Sequence, residues 1–247
     1  MLTYQAVAAR FCPCVVLPCL DAAPTVGEVV ARTRAVLDEV IVVDDGSADG
    51  SAEEARARGA RVVRHPENRG KGAALLTGFA EALDQGFTHA VTLDADAQHD
   101  PADIPKLLAA AEADPRAVVV GARDFNIEHV PGASRFGRRF SNFWVWLETG
   151  TRLSDTQSGF RVYPLRHVRD LDLSPSRFEW EVEVLVRARW AGLPVREVDV
   201  RVHYPPPEER TSHYRGIEDS LLISLLHVRL VPRSFLRPVW PPRRLEP

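Results

Sequence analysis

The stretch VIVVDDGSADGS (Val40–Ser51) joins a run of four apolar β-branched residues directly to a polar turn. Such a run favours a buried strand, which we predict over Glu39–Val43. The Gly-Ser pair after the two aspartates favours a turn, and the charged, Ala-rich segment that follows favours a helix over Ala48–Arg58 that ends at Gly59. The stretch therefore predicts a strand, a turn and a helix in immediate succession.

The same alternation continues on both sides of this stretch. It predicts βαβ units and a parallel sheet. We predict further strands over Phe11–Leu17, Ala60–Arg64, His89–Leu93, Ala117–Val120 and Val195–His203. We predict further helices over Thr25–Leu37, Lys71–Gln85, Pro101–Ala113 (with Asp100 as its N-cap), Ser134–Thr149, Phe178–Trp190 and Ile217–Leu230.

These elements predict a single α/β domain with a Rossmann-like, mostly parallel central sheet flanked by helices. We assign this domain to residues 1–216 and an amphipathic helix with a Pro- and Arg-rich tail to residues 217–247. In the helix over Phe178–Trp190, the apolar spacing places Val182 inward and Glu183 outward.

Composition narrows the class of protein. The 247 residues carry a net charge of −3, which argues against a nucleic-acid binder. We find no run of 18 apolar residues and no signal peptide. Cys12, Cys14 and Cys19 lack a second cluster that would complete a zinc site, so we interpret them as buried free thiols of a reducing, cytoplasmic compartment.

Carboxylates follow two of the predicted strands. In VTLDADAQHD (Val91–Asp100), Asp94 and Asp96 lie two positions apart and would project to the same side of an extended backbone. Two carboxylates aimed at one point repel unless a cation lies between them, and oxygen ligands favour Mg²⁺ or Mn²⁺. An ordinary acidic loop is the alternative.

Asp44 and Asp45 form the second acidic pair, at the end of the strand over Glu39–Val43. In open α/β sheets, ligands bind at the carboxyl ends of the strands, and a carboxylate there can accept hydrogen bonds from a ribose or a nucleobase. An Asx turn in which the aspartates cap the next helix is the alternative.

Five segments in fixed order, VDDGSADGS, NRGKGAAL, DADAQHDP, GAR and DTQSGFR, carry a resemblance to a known family. The chain resembles the inverting family-2 glycosyltransferases of GT-A fold, most closely their dolichyl- and polyprenyl-phosphate sugar transferase branch. The resemblance extends from about Val15 to Tyr214. It implies a GT-A fold and a Mg²⁺ or Mn²⁺ cofactor.

The resemblance also implies roles for individual residues on the donor side. Asp94 and Asp96 match the acids that hold the divalent ion and the ribose, and Gln98 matches a further metal contact. The other matches are the segment beside the nucleobase, the acid that contacts the base and the basic residues near the diphosphate: Pro18 and Leu20, Asp45, and Lys71 and Arg123.

Two more matches concern the acceptor side and a closing loop. Asp155 matches an acid that faces the acceptor, where it would act as a general base on a hydroxyl or only position the substrate. Arg210, Ser212 and His213 match a loop that closes over phosphates, although His213 replaces the branch's lysine. The segment Pro18–Ala22 lacks a glutamate that often contacts the base in this family. The sequence therefore does not decide whether the base of the donor is guanine or uracil.

The implied reaction moves a hexose, with inversion, from a GDP- or UDP-sugar to a polyprenyl phosphate or another lipid-like acceptor. A developing negative charge on the leaving diphosphate would be stabilised by the dication and Arg123. Peripheral contact with the inner face of the cytoplasmic membrane is expected for such an acceptor. A hydroxyl acceptor with the same donor and a non-catalytic nucleotide-sugar-binding module are the two alternatives.

Overall fold

The computed structural model of the protein describes residues 10–124, 132–174, 179–203 and 216–236. Its strands are β1 (Pro13–Cys19), β2 (Val40–Asp44), β3 (Arg61–Arg64), β4 (His89–Thr92), β5 (Val118–Arg123), β6 (Arg161–Pro164) and β7 (Val195–Val200). Its helices are α1 (Ala23–Arg34), α2 (Ser51–Ala57), α3 (Lys71–Asp84), α4 (Ile104–Ala113), α5 (Gly132–Thr149), α6 (Leu165–Arg169), α7 (Trp180–Trp190) and α8 (Gly216–Leu236).

The described strands form a single sheet in the order β3-β2-β1-β4-β6-β5-β7. All neighbouring pairs are parallel except those of β6, which runs antiparallel to β4 and to β5. The prediction of a mostly parallel sheet in a single α/β domain is therefore confirmed.

Both faces of the sheet are buried. Successive residues of a strand point to opposite faces, so Val15 and Leu17 of β1 pack in the layer that contains α1 and α4, whereas Cys14 and Val16 pack in the layer of α3 and α7. Side chains buried on both sides explain why the central strands are nearly continuous apolar runs. Burying each of these side chains contributes about 1.5–3 kcal/mol.

The predicted helix over Pro101–Ala113 begins with a short 3₁₀ turn, Pro101–Asp103, before α4. The side chain of Asp100 accepts a hydrogen bond from the backbone N–H of Ala102 at 3.1 Å, so its predicted capping role is confirmed.

Two predictions from the sequence were wrong, and two elements were missed. Glu183 is 2% exposed rather than outward-facing, because α7 is buried on nearly all sides. Cys12 is exposed, whereas Cys14 and Cys19 are buried as expected. The strand β6 and the helix α6 after it were not predicted.

The topology brings several chain segments to one edge of the sheet. The carboxyl ends of β1, β2, β4 and β5 meet there, as they do in other open α/β sheets. Because β6 runs the other way, its first residue, Arg161, pairs with Thr92 near the end of β4 and lies at the same edge. α8 begins at Gly216, and the division between 1–216 and 217–247 stays a prediction.

Candidate active site at the carboxyl edge of the sheet

A lysine whose side chain is 12% exposed bridges two carboxylates at the centre of this edge. Lys71 is the first residue of α3, and its Nζ lies 2.5 Å from Asp94 Oδ1 and 2.7 Å from Glu181 Oε1 of α7. Burial by itself lowers the pKa of Lys71, but the two carboxylates outweigh it and the pKa is raised. Lys71 is therefore a cation held within the site.

Gly159 makes this close approach possible. A Cβ atom at this position would lie 2.9 Å from Asp94 Oδ2, 2.9 Å from Glu181 Oε1 and 3.0 Å from Lys71 Nζ. A methyl group at this position would therefore push against the charged ends of all three side chains, and the cluster as it stands uses the space that Gly159 leaves.

Arg161 fixes the backbone around the cluster. Its guanidinium is fully buried and donates to the carbonyl oxygens of Thr156 at 2.9 Å, Ser158 at 2.6 Å and Glu181 at 2.6 Å. Carbonyls at these distances satisfy a buried guanidinium that would otherwise be costly. One side chain thus ties the turn before β6 to the first turn of α7.

Asp96 lies beyond Asp94 in a tight turn. Ala97 has a φ of 62°, and the backbone N–H of Gln98 donates to Asp96 Oδ1 at 3.0 Å. Burial and the like charge of Asp94 raise the pKa of Asp96 to about 6. A partly buried carboxylate whose ionisation is opposed by the charge of its neighbour marks a place where a cation would be stabilised.

The donor set at this position fits Mg²⁺ or Mn²⁺ bound together with a substrate. In the described parts of the chain, no group of three or more His, Cys, Asp or Glu side chains is arranged around a common point. Mg²⁺ is usually bound by one or two carboxylates together with substrate phosphates and water. Asp94 and Asp96 meet that requirement, and Gln98 lies two residues after Asp96 in the same turn.

Arg123 and Asp155 form a second ion pair beside the cluster. Arg123, the last residue of β5, places Nε 2.6 Å from Asp155 Oδ2 and Nη2 3.0 Å from Asp155 Oδ1. Burial raises the pKa of the Asp155 carboxyl, but the charge and the hydrogen bonds of Arg123 outweigh it, and the pKa is lowered overall. Asp155 is therefore an ionised carboxylate that orients a guanidinium.

The turn that carries Asp155 is held from two sides. Glu197 of β7 accepts hydrogen bonds from the backbone N–H groups of Ser154 at 2.8 Å and Asp155 at 3.0 Å. Asn142 of α5 donates to the carbonyl oxygen of Ser154 at 2.7 Å. The position of the Arg123–Asp155 pair thus depends on β7 and α5.

Asp44 and Asp45 are buried and brace neighbouring loops. Asp45 Oδ1 lies 2.6 Å from His65 Nδ1 and accepts from Arg69 N, and its Oδ2 accepts from Gly70 N. Asp44 accepts from Ser47 N at 3.0 Å, and its Oδ2 lies 3.1 Å from an Arg64 nitrogen. Neither aspartate caps α2, whose N-cap is Gly50 and has no side-chain hydrogen bond, so the helix-cap alternative is wrong, and a contact with a nucleobase stays a prediction.

The predicted nucleobase segment lies at the same edge. Pro18 pairs with Val43 in the sheet, next to the acidic pair, and Leu20 follows β1. Asp21 accepts a hydrogen bond from Ala48 N and joins the two turns. Arg210, Ser212 and His213 lie outside the described residues, so the closing loop stays a prediction.

Sequence reasoning missed Glu181 and Gly159. His65 is a hydrogen-bonded core histidine, 4% exposed between Asp45 and Thr77. Glu181 was not singled out because nothing in the local pattern of α7 separates it from Glu183. The contact between Lys71 and Glu181 joins distant parts of the chain and leaves no local signal.

α5 and α8 pack against each other, and each exposes apolar side chains, which together are called the apolar surface. Arg139 and Arg152 flank an open groove, and the Arg152 guanidinium carbon lies 5.7 Å from the Trp146 ring centre. The remaining lining residues are Asn142, Phe143 and Leu153, and the exposed apolar side chains of α8 are Leu225, Val228 and Phe235. Among the described residues, none of the helices combines the length and the hydropathy that crossing a bilayer requires.

Comparison with known proteins identifies relatives of the chain. The model of the family described as "Glycosyl transferase family 2" matches residues 14–170. The UDP-N-acetylglucosamine–dolichyl-phosphate N-acetylglucosaminyltransferase of Methanococcus voltae is 31% identical over 189 residues, which cover 68% of this chain and 75% of the relative. The undecaprenyl-phosphate mannosyltransferase of Micrococcus luteus is 31% identical over 179 residues, 66% of this chain and 70% of the relative.

A solved structure shares the fold. Glucosyl-3-phosphoglycerate synthase from Mycobacterium tuberculosis, crystallised in complex with Mg²⁺ and uridine diphosphate, superposes with a TM-score of 0.68 at 24% identity. The match covers 92% of this chain and 79% of that one. The fold predicted from the resemblance is therefore confirmed.

Proposed function

Because the chain belongs to glycosyl transferase family 2, we propose that it transfers a hexose, with inversion, from a GDP- or UDP-sugar to a polyprenyl phosphate. The observation that carries this proposal is the convergence of Asp94, Asp96, Lys71 and Arg123 at one edge of the sheet. The two carboxylates can hold a dication, and the two cations can bind a diphosphate. A nucleotide-sugar donor with its metal ion carries both of these charged groups.

The donor side needs a divalent ion, Mg²⁺ or Mn²⁺, which Asp94, Asp96 and Gln98 would hold. Such an ion, when bound, stabilises negative charge on the leaving diphosphate. Arg123 would bind the same phosphates, since Asp155 holds its guanidinium in one orientation. A unit charge 4 Å from another is worth about 4 kcal/mol at an effective dielectric constant of 20, so each cation contributes strongly.

Pro18, Leu20, Asp44 and Asp45 are assigned to the nucleoside end of the donor. Their position at the ends of β1 and β2 supports this, because nucleotides bind at the carboxyl edge of open α/β sheets. The assignment of Arg210, Ser212 and His213 to a loop that closes over the phosphates rests on the sequence resemblance.

The electrostatics of Asp155 favour a phosphate over a hydroxyl acceptor. A general base works best when its pKa lies near the working pH. Arg123 lowers the pKa of Asp155, so this carboxylate is a weak base. A polyprenyl phosphate needs no base because its oxygen is already anionic, and the relatives named as dolichyl- and undecaprenyl-phosphate transferases support that acceptor.

The surface on α5 and α8 supports peripheral contact with an anionic membrane, where such an acceptor resides. Exposed apolar side chains (Phe143, Val228 and Phe235) lie on the same helices as exposed arginines. The arginines are Arg139, Arg229 and Arg233, with Arg152 just after α5. An apolar face with a cationic rim complements a surface of anionic lipids.

A transfer assay tests the proposal. Purified protein is incubated with radiolabelled GDP- or UDP-hexoses and undecaprenyl phosphate, with Mn²⁺ or with a chelator, and label is measured in the organic phase. We expect metal-dependent transfer of one sugar, with inversion at the anomeric carbon by NMR, and its loss in Asp96→Ala. Transfer only to a water-soluble hydroxyl acceptor would establish the alternative acceptor, and donor binding without any turnover would establish a binding module.

A further inference from the structure

The position of Lys71 conflicts with the binding of a dication. Its Nζ lies 2.5 Å from Asp94 Oδ1, one of the oxygens that the proposed function assigns to the metal. An ammonium and a dication on one carboxylate repel each other more strongly than two single charges would. Lys71 must therefore release Asp94 when the metal and the donor bind.

Glu181 provides the contact that Lys71 can keep. Its Oε1 lies 2.7 Å from Lys71 Nζ, and its backbone carbonyl is held by Arg161 at 2.6 Å. The side chain of Glu181 is 7% exposed and that of Lys71 is 12% exposed, so water competes weakly for this ion pair. Glu181 can therefore stay paired with the Lys71 ammonium while the ammonium exchanges its other partner, Asp94.

We infer that Glu181 is a positioning residue, which holds the Lys71 ammonium beside the site while Asp94 exchanges it for the dication, so that the same ammonium then binds the donor diphosphate. The inference rests on the proposed function and adds to it the roles of an internal cation and its anchor. Neither the family match nor the sequence pattern assigned Glu181.

A purely structural ion pair does not explain this arrangement. Glu183, two residues along α7, pairs with Arg187 at 2.7 Å, and the second partner of Arg187, Asp172 at 3.2 Å, is 97% exposed to water. Lys71 faces two carboxylates, Asp94 and Glu181, whose side chains are 29% and 7% exposed, and no side chain at Gly159 occupies the space beside them. The cluster retains net negative charge and favours entry of a further cation.

The test is a titration of the metal-free protein, first with Mn²⁺ alone and then with Mn²⁺ plus UDP or GDP. Binding is measured in both titrations by electron paramagnetic resonance of Mn²⁺. Lys71→Met should bind Mn²⁺ alone about tenfold more tightly than the wild type, since its competitor is gone, but bind the Mn²⁺–nucleotide pair more weakly. Glu181→Gln should bind Mn²⁺ alone about tenfold more weakly, and this loss should shrink in the double variant with Lys71→Met.

Glu183→Gln is the matched control, since it removes an equally buried carboxylate from the same helix and should leave Mn²⁺ binding unchanged. Thermal unfolding of each variant separates loss of fold from loss of binding, and Lys71→Met tests the competition without altering Glu181. The inference is overturned if Lys71→Met does not tighten Mn²⁺ binding, or if Glu181→Gln costs as much in the Lys71→Met background as in the wild type.

The failure of the proposed function would look different. In that case Asp94→Asn would leave Mn²⁺ binding unchanged and no nucleotide would bind to the wild type in any metal. Metal-dependent nucleotide binding by the wild type, combined with either overturning result above, would contradict only the role of Lys71 and Glu181.

Discussion

At the scale of single residues, the absence of a side chain at position 159 leaves room for the charged cluster of the candidate active site. A Cβ atom there would lie within 3.0 Å of side-chain atoms of Asp94, Glu181 and Lys71. A charged cluster of this density tolerates little additional volume, because protein interiors are packed about as closely as organic crystals.

We expect Gly159→Ala to reduce nucleotide binding at least tenfold and to cost about 1–3 kcal/mol of unfolding free energy, since the new methyl group must displace charged atoms. Calorimetric titration and urea denaturation measure the two effects. Gly137→Ala is the control, because its Cβ would meet the Gln157 amide at 3.8 Å, an ordinary contact. Equal nucleotide binding and equal unfolding free energies in the two variants would show that the cluster accommodates the methyl group without cost.

Asp155→Asn should lower kcat/KM about a hundredfold, because Arg123 loses the charge that orients it, while the shape of the pH–rate profile between pH 6 and 8 is kept. The lowered pKa of Asp155 places its own titration well below that window. Steady-state kinetics check this, with Asp199→Asn on the exposed side of β7 as the control. Loss of the acidic limb of the profile in Asp155→Asn would identify Asp155 as the general base instead.

At the scale of elements, one buried carboxylate joins the turn before α4 to the end of β7. Asp103 is fully buried, accepts from Arg201 N at 2.7 Å and from the Arg201 guanidinium at 3.0 Å, and lies 2.8 Å from Lys106 Nζ. Burial raises the pKa of Asp103, but Arg201 and Lys106 outweigh it, so the pKa is lowered overall. This contact fixes the point at which the chain leaves the sheet towards residues 204–215.

Asp103→Asn should therefore cost about 2 kcal/mol of unfolding free energy at pH 7. The folded-state pKa lies below the unfolded value of about 3.9, so the contribution is present above that value and is lost as the pH falls through the folded-state pKa. Urea midpoints of the two proteins should converge on acidification below about pH 4. The exposed Asp170→Asn serves as control, and a difference that is independent of pH would contradict the electrostatic origin.

At the scale of the whole molecule, the candidate active site and the apolar surface are joined by the turn that carries Asp155. Asn142 of α5 donates to Ser154, and α5 also packs against α8 through the stacking of Trp144 on His227. The apolar surface is therefore close, in sequence and in space, to the Arg123–Asp155 ion pair. A lipid-bound acceptor at that surface would lie near the candidate active site.

We expect the protein to cosediment with phosphatidylglycerol vesicles at low ionic strength and not with phosphatidylcholine vesicles, and expect salt to weaken the binding. Replacing the exposed Val228 and Phe235 by Ser should reduce binding, because both side chains are more than two-thirds exposed (69% and 76%). Val36→Ser, an exposed position after α1 in the other layer, should have no effect. Equal binding to both kinds of vesicle would show that the exposed arginines beside the apolar side chains do not contribute to membrane binding.

How far the sequence predicts this architecture depends on whether the signal is local. The strands and helices before Arg123 follow from β-branched runs, glycines and caps, and the acids at strand ends follow from the strand boundaries. The antiparallel strand β6 breaks the alternation of parallel strands and helices, and its direction is decided by its two neighbours rather than by its own residues.

The same reasoning explains which site residues could be found. Asp94 and Asp96 follow a predicted strand end, whereas Arg123 was found through the family resemblance and lies at the end of β5, three residues beyond the predicted strand. Glu181 belongs to a helix that is buried on nearly all sides, where hydrophobic periodicity no longer separates inside from outside. Only the folded arrangement shows which of its carboxylates meets Lys71.

The three carbonyl contacts of Arg161 have a consequence for synthesis on the ribosome. A nascent chain that has released β1 to β5 already contains the residues for most of the donor site, yet the turn before β6 and the start of α7 are joined only once Glu181 has emerged. The donor site in the amino-terminal part of the chain therefore remains incomplete during elongation. Nucleotide capture by stalled chains of increasing length should begin only when α7 is free of the exit tunnel.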